Sequence, residues 1–137
     1  MFEFMKKYME SPEEILSVCG DDCSVCPRYR ASTDEEYREV AEFWYRVGWR
    51  DHIATREEME CHGCSIDNNC RYKLMQCTMD HGVKACNKCT DYPCEKIQDM
   101  HASSDQKEAE CRAMMDDEDF AVMKRAFYCK RELLEKL

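Results

Sequence analysis

The sequence predicts a mostly α-helical, small and irregular domain, stabilised by metal at zinc knuckles and closed by a C-terminal helix. Three observations carry that expectation. Strand signals are few, and only four Gly and three Pro punctuate a chain of 137 residues, a length that suits one compact domain with a modest core. Apolar residues recur at spacings of three and four in two long segments, the period of a helix with one buried face. Twelve cysteines, several of them in C-x2-C pairs, place the chain among disulfide scaffolds or metal proteins.

In chain order, Ser11-Pro12-Glu13-Glu14 sets a capping residue before a first-turn proline and two carboxylates, and predicts a short helix to about Val18. A tight turn follows from Cys19 to Pro27. Ser32 and Glu35 form a capping-box pattern ahead of Tyr37, Val40, Ala41, Trp44, Tyr45 and Val47, so an amphipathic helix runs from there to Gly48 and supplies the aromatic core. Tyr72 to Asp80 reads as a short helix ended by Gly82, and Pro93-Cys94-Glu95 as the entry to another. From Asp116 to Leu137 the tail reads as helix. Asp116 or Asp117 caps it, and Phe120, Met123, Phe127, Leu133 and Leu134 make its stripe. Ser103-Ser104-Asp105 is the best break, separating a cysteine-rich part, 1–102, from a helical tail, 103–137, that packs on it as one compact unit.

Composition narrows the function. Net charge is −9, from 20 basic and 29 acidic residues. Eight thiolates on two zinc ions would take it to about −13, which disfavours a phosphate backbone and leaves a protein as the expected partner. No segment approaches the roughly 18 apolar residues of a membrane span. Met1–Glu10, MFEFMKKYME, has no apolar stretch of the secretory kind, so a reducing, cytoplasmic setting is expected, in which thiols remain free to bind metal. No Ser/His/Asp arrangement, phosphate loop or HExxH pattern is present, and the reading leans away from an enzyme.

Three C-x2-C pairs are present: Cys23/Cys26, Cys61/Cys64 and Cys86/Cys89. Two intervening residues let the backbone fold so that both sulfurs reach one tetrahedral ion at about 2.3 Å. Cys61, Cys64, Cys86 and Cys89 are close to a zinc-ribbon spacing, which leaves Cys19, Cys23 and Cys26 to be completed by a distant ligand, here Cys94. Cys70 and Cys77 can replace a member of either set, and His62 and His81 are further candidates, although a single His in such a loop is more often solvated. Cys111 and Cys129, in the helical tail, read as small buried hydrophobes. An iron–sulfur cluster is the rival cofactor: Cys19-x3-Cys23-x2-Cys26 has the spacing of radical enzymes that cleave S-adenosylmethionine, and Pro27 follows Cys26. So few strands cannot build the barrel that such chemistry needs, which leaves an electron-transfer protein as that reading. A thiol redox or metal sensor using Cys70, Cys77, Cys111 or Cys129 is the third.

The string Cys19-Gly20-Asp21-Asp22-Cys23-Ser24-Val25-Cys26-Pro27-Arg28-Tyr29 resembles the opening CGxDCxxCPxY of domain-of-unknown-function family 3795. Cys61-His62-Gly63-Cys64, then His81-Gly82-Val83-Lys84-Ala85-Cys86-Asn87-Lys88-Cys89, and then Asp91-Tyr92-Pro93-Cys94-Glu95-Lys96-Ile97 follow in the order of that family. The resemblance spans about Val18 to Met100. It implies zinc binding through the cysteines and no particular activity. The segment Cys70-x6-Cys77 is wider than the C-x-I-R-x-C pattern of many relatives, and the tail beyond Ser103 lies outside the resemblance.

Overall fold

The structure is a computed structural model that describes residues 2–65 and 72–137. The chain is mostly helical, and among the described residues there is no strand, only one isolated antiparallel bridge between Leu16 and Asp22. After a 3-10 turn at Glu3–Met5, the helices are α1 (Lys6–Glu10), α2 (Pro27–Arg30), α3 (Asp34–Arg46), α4 (Arg56–Met59), α5 (Leu74–Asp80), α6 (Glu95–Met114), α7 (Asp117–Phe127) and α8 (Lys130–Leu134). No helix is long and apolar enough to cross a membrane.

Two apolar clusters hold these pieces. The larger gathers Val40, Phe43 and Trp44 of α3 with Phe2 and Met5 from the N-terminus, Val25, Met59, and Val122, Met123 and Ala126 of α7. Phe2 meets Phe43 edge-on at 5.2 Å between ring centres, the arrangement that aromatic quadrupoles favour. The smaller cluster joins Val18, Cys19, Leu74, Cys86, Ile97 and Met100. Cysteine side chains thus sit where aliphatic ones would in a larger protein.

Local signals succeed or fail for visible reasons. The helix expected before Val18 does not form. Its backbone groups are claimed by the following loop: Glu14 N–H donates to Ser24 Oγ at 3.2 Å, Ile15 N–H to Asp22 Oδ1 at 3.1 Å, and the Ile15 carbonyl accepts from Cys23 N–H at 2.8 Å. The α3 cap falls one residue later than read, on Thr33, whose hydroxyl accepts Glu36 N–H, while Ser32 donates to the Glu36 carboxylate. The helix ends at Arg46, and Gly48, at φ +81°, lies in the turn that follows. The tail divides: α7 starts on the expected Asp116 cap and stops before Tyr128, and α8 restarts at Lys130. Ser103, Ser104 and Asp105 lie inside α6, so the chain continues as helix where the sequence reading places its break. A Lys124–Glu108 ion pair at 2.8 Å ties α7 to α6.

Candidate metal centre

The first cysteine loop is built around a tight turn. Gly20 N–H donates to the Ser17 carbonyl at 3.1 Å, Asp21 N–H donates to the Ser17 hydroxyl at 3.0 Å, and that hydroxyl lies 3.2 Å from Cys19 Sγ. Asp22 follows, with 0% of its surface exposed. Its Oδ1 accepts three donors: Ile15 N–H, Ser24 N–H at 3.0 Å and the Ser24 hydroxyl at 2.6 Å. Its Oδ2 lies 3.1 Å from the Arg125 guanidinium, an ion-pair distance without hydrogen-bond angles. Lys130 stands in the same relation to Asp21, at 2.6 Å, and Asp22 N–H donates to the Ala126 carbonyl at 2.9 Å. Helices α7 and α8 therefore pin the loop from outside.

Two of the C-x2-C pairs fold into the same motif. Cys23–Val25 and Cys86–Lys88 are single 3-10 turns, each closed by the second cysteine's N–H donating to the first one's carbonyl at 3.2 Å. Cys26 caps α2, and the Arg28 and Tyr29 N–H groups at that helix start face its sulfur. The pair Cys61/Cys64 turns at Gly63, whose φ of +94° suits glycine. One backbone bond, Cys86 N–H to the Val18 carbonyl at 3.0 Å, fastens the third pair beside the first loop.

The cysteine side chains gather in two places. Cys19, Cys23, Cys26, Cys61 and Cys64 line one cavity, and the charge of Cys61 bears on both Cys23 and Cys26. Cys77, Cys86, Cys89 and Cys94 line another, where Cys77 and Cys94 bear on Cys86. The partition expected from spacing puts Cys61 and Cys64 beside Cys86 and Cys89 and Cys94 with the Cys19 set; in the structure Cys61 and Cys64 line the cavity of Cys19, Cys23 and Cys26, and Cys94 lines that of Cys86 and Cys89. Cys64 lines the first cavity yet also acts on Cys86, so it lies between the groups. Cys77 belongs to the second group, and Cys70 falls outside the described residues.

The chemistry of the donor set suits a cation that binds soft sulfur. Burial, with the Asp21 charge second, pushes the Cys19 thiol up to about 12, and burial with the Cys61 charge does the same to Cys26, against the pull of the Tyr29 and Arg28 N–H groups. Cys23 is pushed higher by burial and then by Cys26, Asp21, Cys61 and Cys19, and Cys86 to about 11 by burial and then by Cys77, Cys94, Cys64 and Cys89. Thiolates gathered this way repel one another until a cation is placed among them. Closing four sulfurs on one ion needs separations of roughly 3.8 Å. The groups are gathered more loosely than that: among the described residues, the set of at least three His, Cys or carboxylate donor atoms within 4.8 Å of one another is His81, Cys89 and Asp91. His81 also lies 3.7 Å from Cys77 Sγ through Nδ1, with its Nε2 4.0 Å from Asp91. Asp91 was not singled out by the sequence, since its signal is only adjacency to Cys89. All eleven described cysteines are free of disulfides.

Fold and site together define a small, mostly helical cysteine-rich protein whose thiols converge in two neighbouring groups. Residues 15–99, more than half of the chain, match the family described as protein of unknown function (DUF3795), and the chain belongs to that family. No curated protein and no solved structure matches the chain.

Proposed function

We propose that this protein binds two zinc ions at structural sites and offers the helical surface they stabilise to a protein partner. Cys19, Cys23, Cys26 and Cys61 form the first site; Cys77, Cys86, Cys89 and Cys94 form the second, with Cys64 and His81 as adjoining donors. The observation that carries this reading is the convergence of cysteines distant in sequence on two cavities, with their thiolates held unfavourable by burial and by one another. A chain this short gains much from such sites, since a structural zinc can contribute on the order of 10 kcal/mol to folding. The net charge of −9 disfavours nucleic acid and supports a protein partner.

The test is metal content with an absorption spectrum, on untagged protein purified without oxygen. About two zinc per chain and no visible band is the expected result. Cys61→Ser and Cys94→Ser should each cost about one ion, from different sites, and the double variant about two. Iron with acid-labile sulfide would replace zinc by a cluster. Metal-free, fully folded protein would refute the reading altogether.

A further inference from the structure

We propose that His81, Cys89 and Asp91 hold a third, exchangeable divalent metal ion on the solvent side of the second cysteine group. The inference rests on the two-site reading above for one ligand, Cys89, whose sulfur then bridges two ions.

The backbone brings the three donors together. Cys77 and His81 stand one helical turn apart at the end of α5, and the Cys77 carbonyl accepts both the His81 backbone N–H, at 3.1 Å, and the ring Nδ1–H, at 2.8 Å. A carbonyl only accepts, so Nδ1 carries the proton and Nε2 keeps its lone pair, as in a metal-binding imidazole whose other nitrogen is anchored to backbone. Tyr92 N–H donates to the Cys89 carbonyl at 3.1 Å, closing a turn that returns Asp91 beside Cys89. Nε2 lies 4.0 Å from Asp91 Oδ2, too far for a hydrogen bond. That is little more than the roughly 3.3–3.8 Å between two donors of one tetrahedral ion. One donor atom from each of the three residues lies within 4.8 Å of the others.

The space available places this ion outside the buried one. The cavity among Cys77, Cys86, Cys89 and Cys94 measures about 20 Å³, room for about one ion. His81 and Cys89 line it and Asp91 does not, so an ion reached by all three lies at the rim. The side chains of His81 and Asp91 are 45% and 70% exposed, free to close the last ångström without moving the fold.

Charge and donor type select the ligand. A thiolate, a carboxylate and a neutral imidazole carry two negative charges, which a divalent ion cancels. In the lining of the buried cavity Lys96 is the one cation among the described residues, against four cysteines. Sulfur beside imidazole and a single carboxylate suits zinc or cobalt rather than calcium or magnesium. Three protein ligands leave the fourth position to water, so this ion exchanges where the buried ones do not.

The experiment adds cobalt(II) to full-length protein carrying its tightly bound zinc, and reads bound cobalt, retained zinc and the thiolate-to-cobalt charge-transfer band. One cobalt per chain beyond the zinc is expected, with that band, released by citrate at unchanged circular dichroism. His81→Gln and Asp91→Asn should each weaken cobalt at least about tenfold with the tight zinc retained. No cobalt beyond the zinc, cobalt without the band, or unchanged affinity in either variant overturns the proposal. Loss of a tight zinc from His81→Gln overturns it as well, by placing the imidazole in the buried site. Two tight zinc ions with no cobalt site sink this proposal alone. Protein without tight zinc that takes one cobalt dependent on His81 and Asp91 upholds the site and sinks the two-zinc reading.

Discussion

Replacing Gly20 by alanine tests how the first cysteine loop is held against the tail. Gly20 has φ +96°, and a Cβ placed there would stand 2.4 Å from the Lys130 carbonyl oxygen, 2.9 Å from Lys130 Cα and 3.0 Å from Leu134 Cγ. The first two are backbone atoms at the start of α8, so no flexible side-chain tip can move aside. Alanine with positive φ costs roughly 1–2 kcal/mol on its own, and overpacking against backbone adds about 1–3 kcal/mol. The expected loss is therefore about 2–5 kcal/mol. Gly48 supplies the control: its φ is +81°, yet no atom lies within 4 Å of the corresponding Cβ. Gly48→Ala should therefore carry only the backbone part, about 1–2 kcal/mol. Urea unfolding of the wild type and both variants, at matched metal content, reads the difference. With a slope of roughly 1–3 kcal/mol per molar, the Gly20→Ala midpoint should lie roughly 1 M below that of Gly48→Ala. Equal midpoints would show that α8 does not press on the loop as the structure has it.

Two further outcomes follow from the charges. Arg125→Met leaves the fully buried Asp22 without its cation and should cost about 3 kcal/mol or more; Arg131→Met, which breaks an exposed pair with Asp105 at 3.2 Å, should cost under about 1 kcal/mol. Thermal unfolding compares them, and similar losses would show that Arg125 does not compensate a buried charge. His101, 8% exposed on α6, has its pKa lowered from the ordinary 6.5, first by burial and then by the Arg131 and Lys130 charges, against a smaller opposing effect of Asp105. The unfolded chain therefore takes up this proton first as pH falls. The contribution of neutral His101 is complete above about pH 6.5 and is lost as pH drops towards the folded value. Between about pH 7.5 and 5.5 the wild-type urea midpoint should fall further than that of His101→Gln, the comparison cancelling any acid release of metal common to both. A parallel fall in the two proteins would remove His101 from the pH response.

Much of the helical layout was legible because it depends on neighbours in sequence. The α3 stripe, the α5 stop at Gly82 and the entry to α6 at Cys94 are all local signals, and a one-residue error in the α3 cap follows from two adjacent hydroxyls, Ser32 and Thr33, of which only one can lie at the helix start. The segment after Ser11 shows the opposite case. Its capping pattern is genuine, but Asp22 and Ser24 offer its N–H groups better-placed acceptors than another helical turn would. The cysteines were legible as pairs and not as groups. A C-x2-C turn closes on itself, whereas which turns face each other depends on contacts such as Cys86 N–H to Val18 that leave no spacing to read.

The division of labour between the matched region and the tail is the part that sequence patterns missed most completely. The family match ends at residue 99, and the tail read as an apolar stripe docking on a core. In the structure that tail also reaches the cysteine loop with Arg125 on Asp22, Lys130 on Asp21 and the Ala126 carbonyl on Asp22 N–H. A fully buried aspartate two residues after Gly20 is costly alone, and it is offset by the nearby Ile15 and Ser24 donors together with Arg125 from the tail. Those contacts place the first cysteine group and Phe127 on the same cavity. The tail thus supplies part of the wall of the cavity that the first cysteine turn lines, through Phe127, Tyr128 and Lys130.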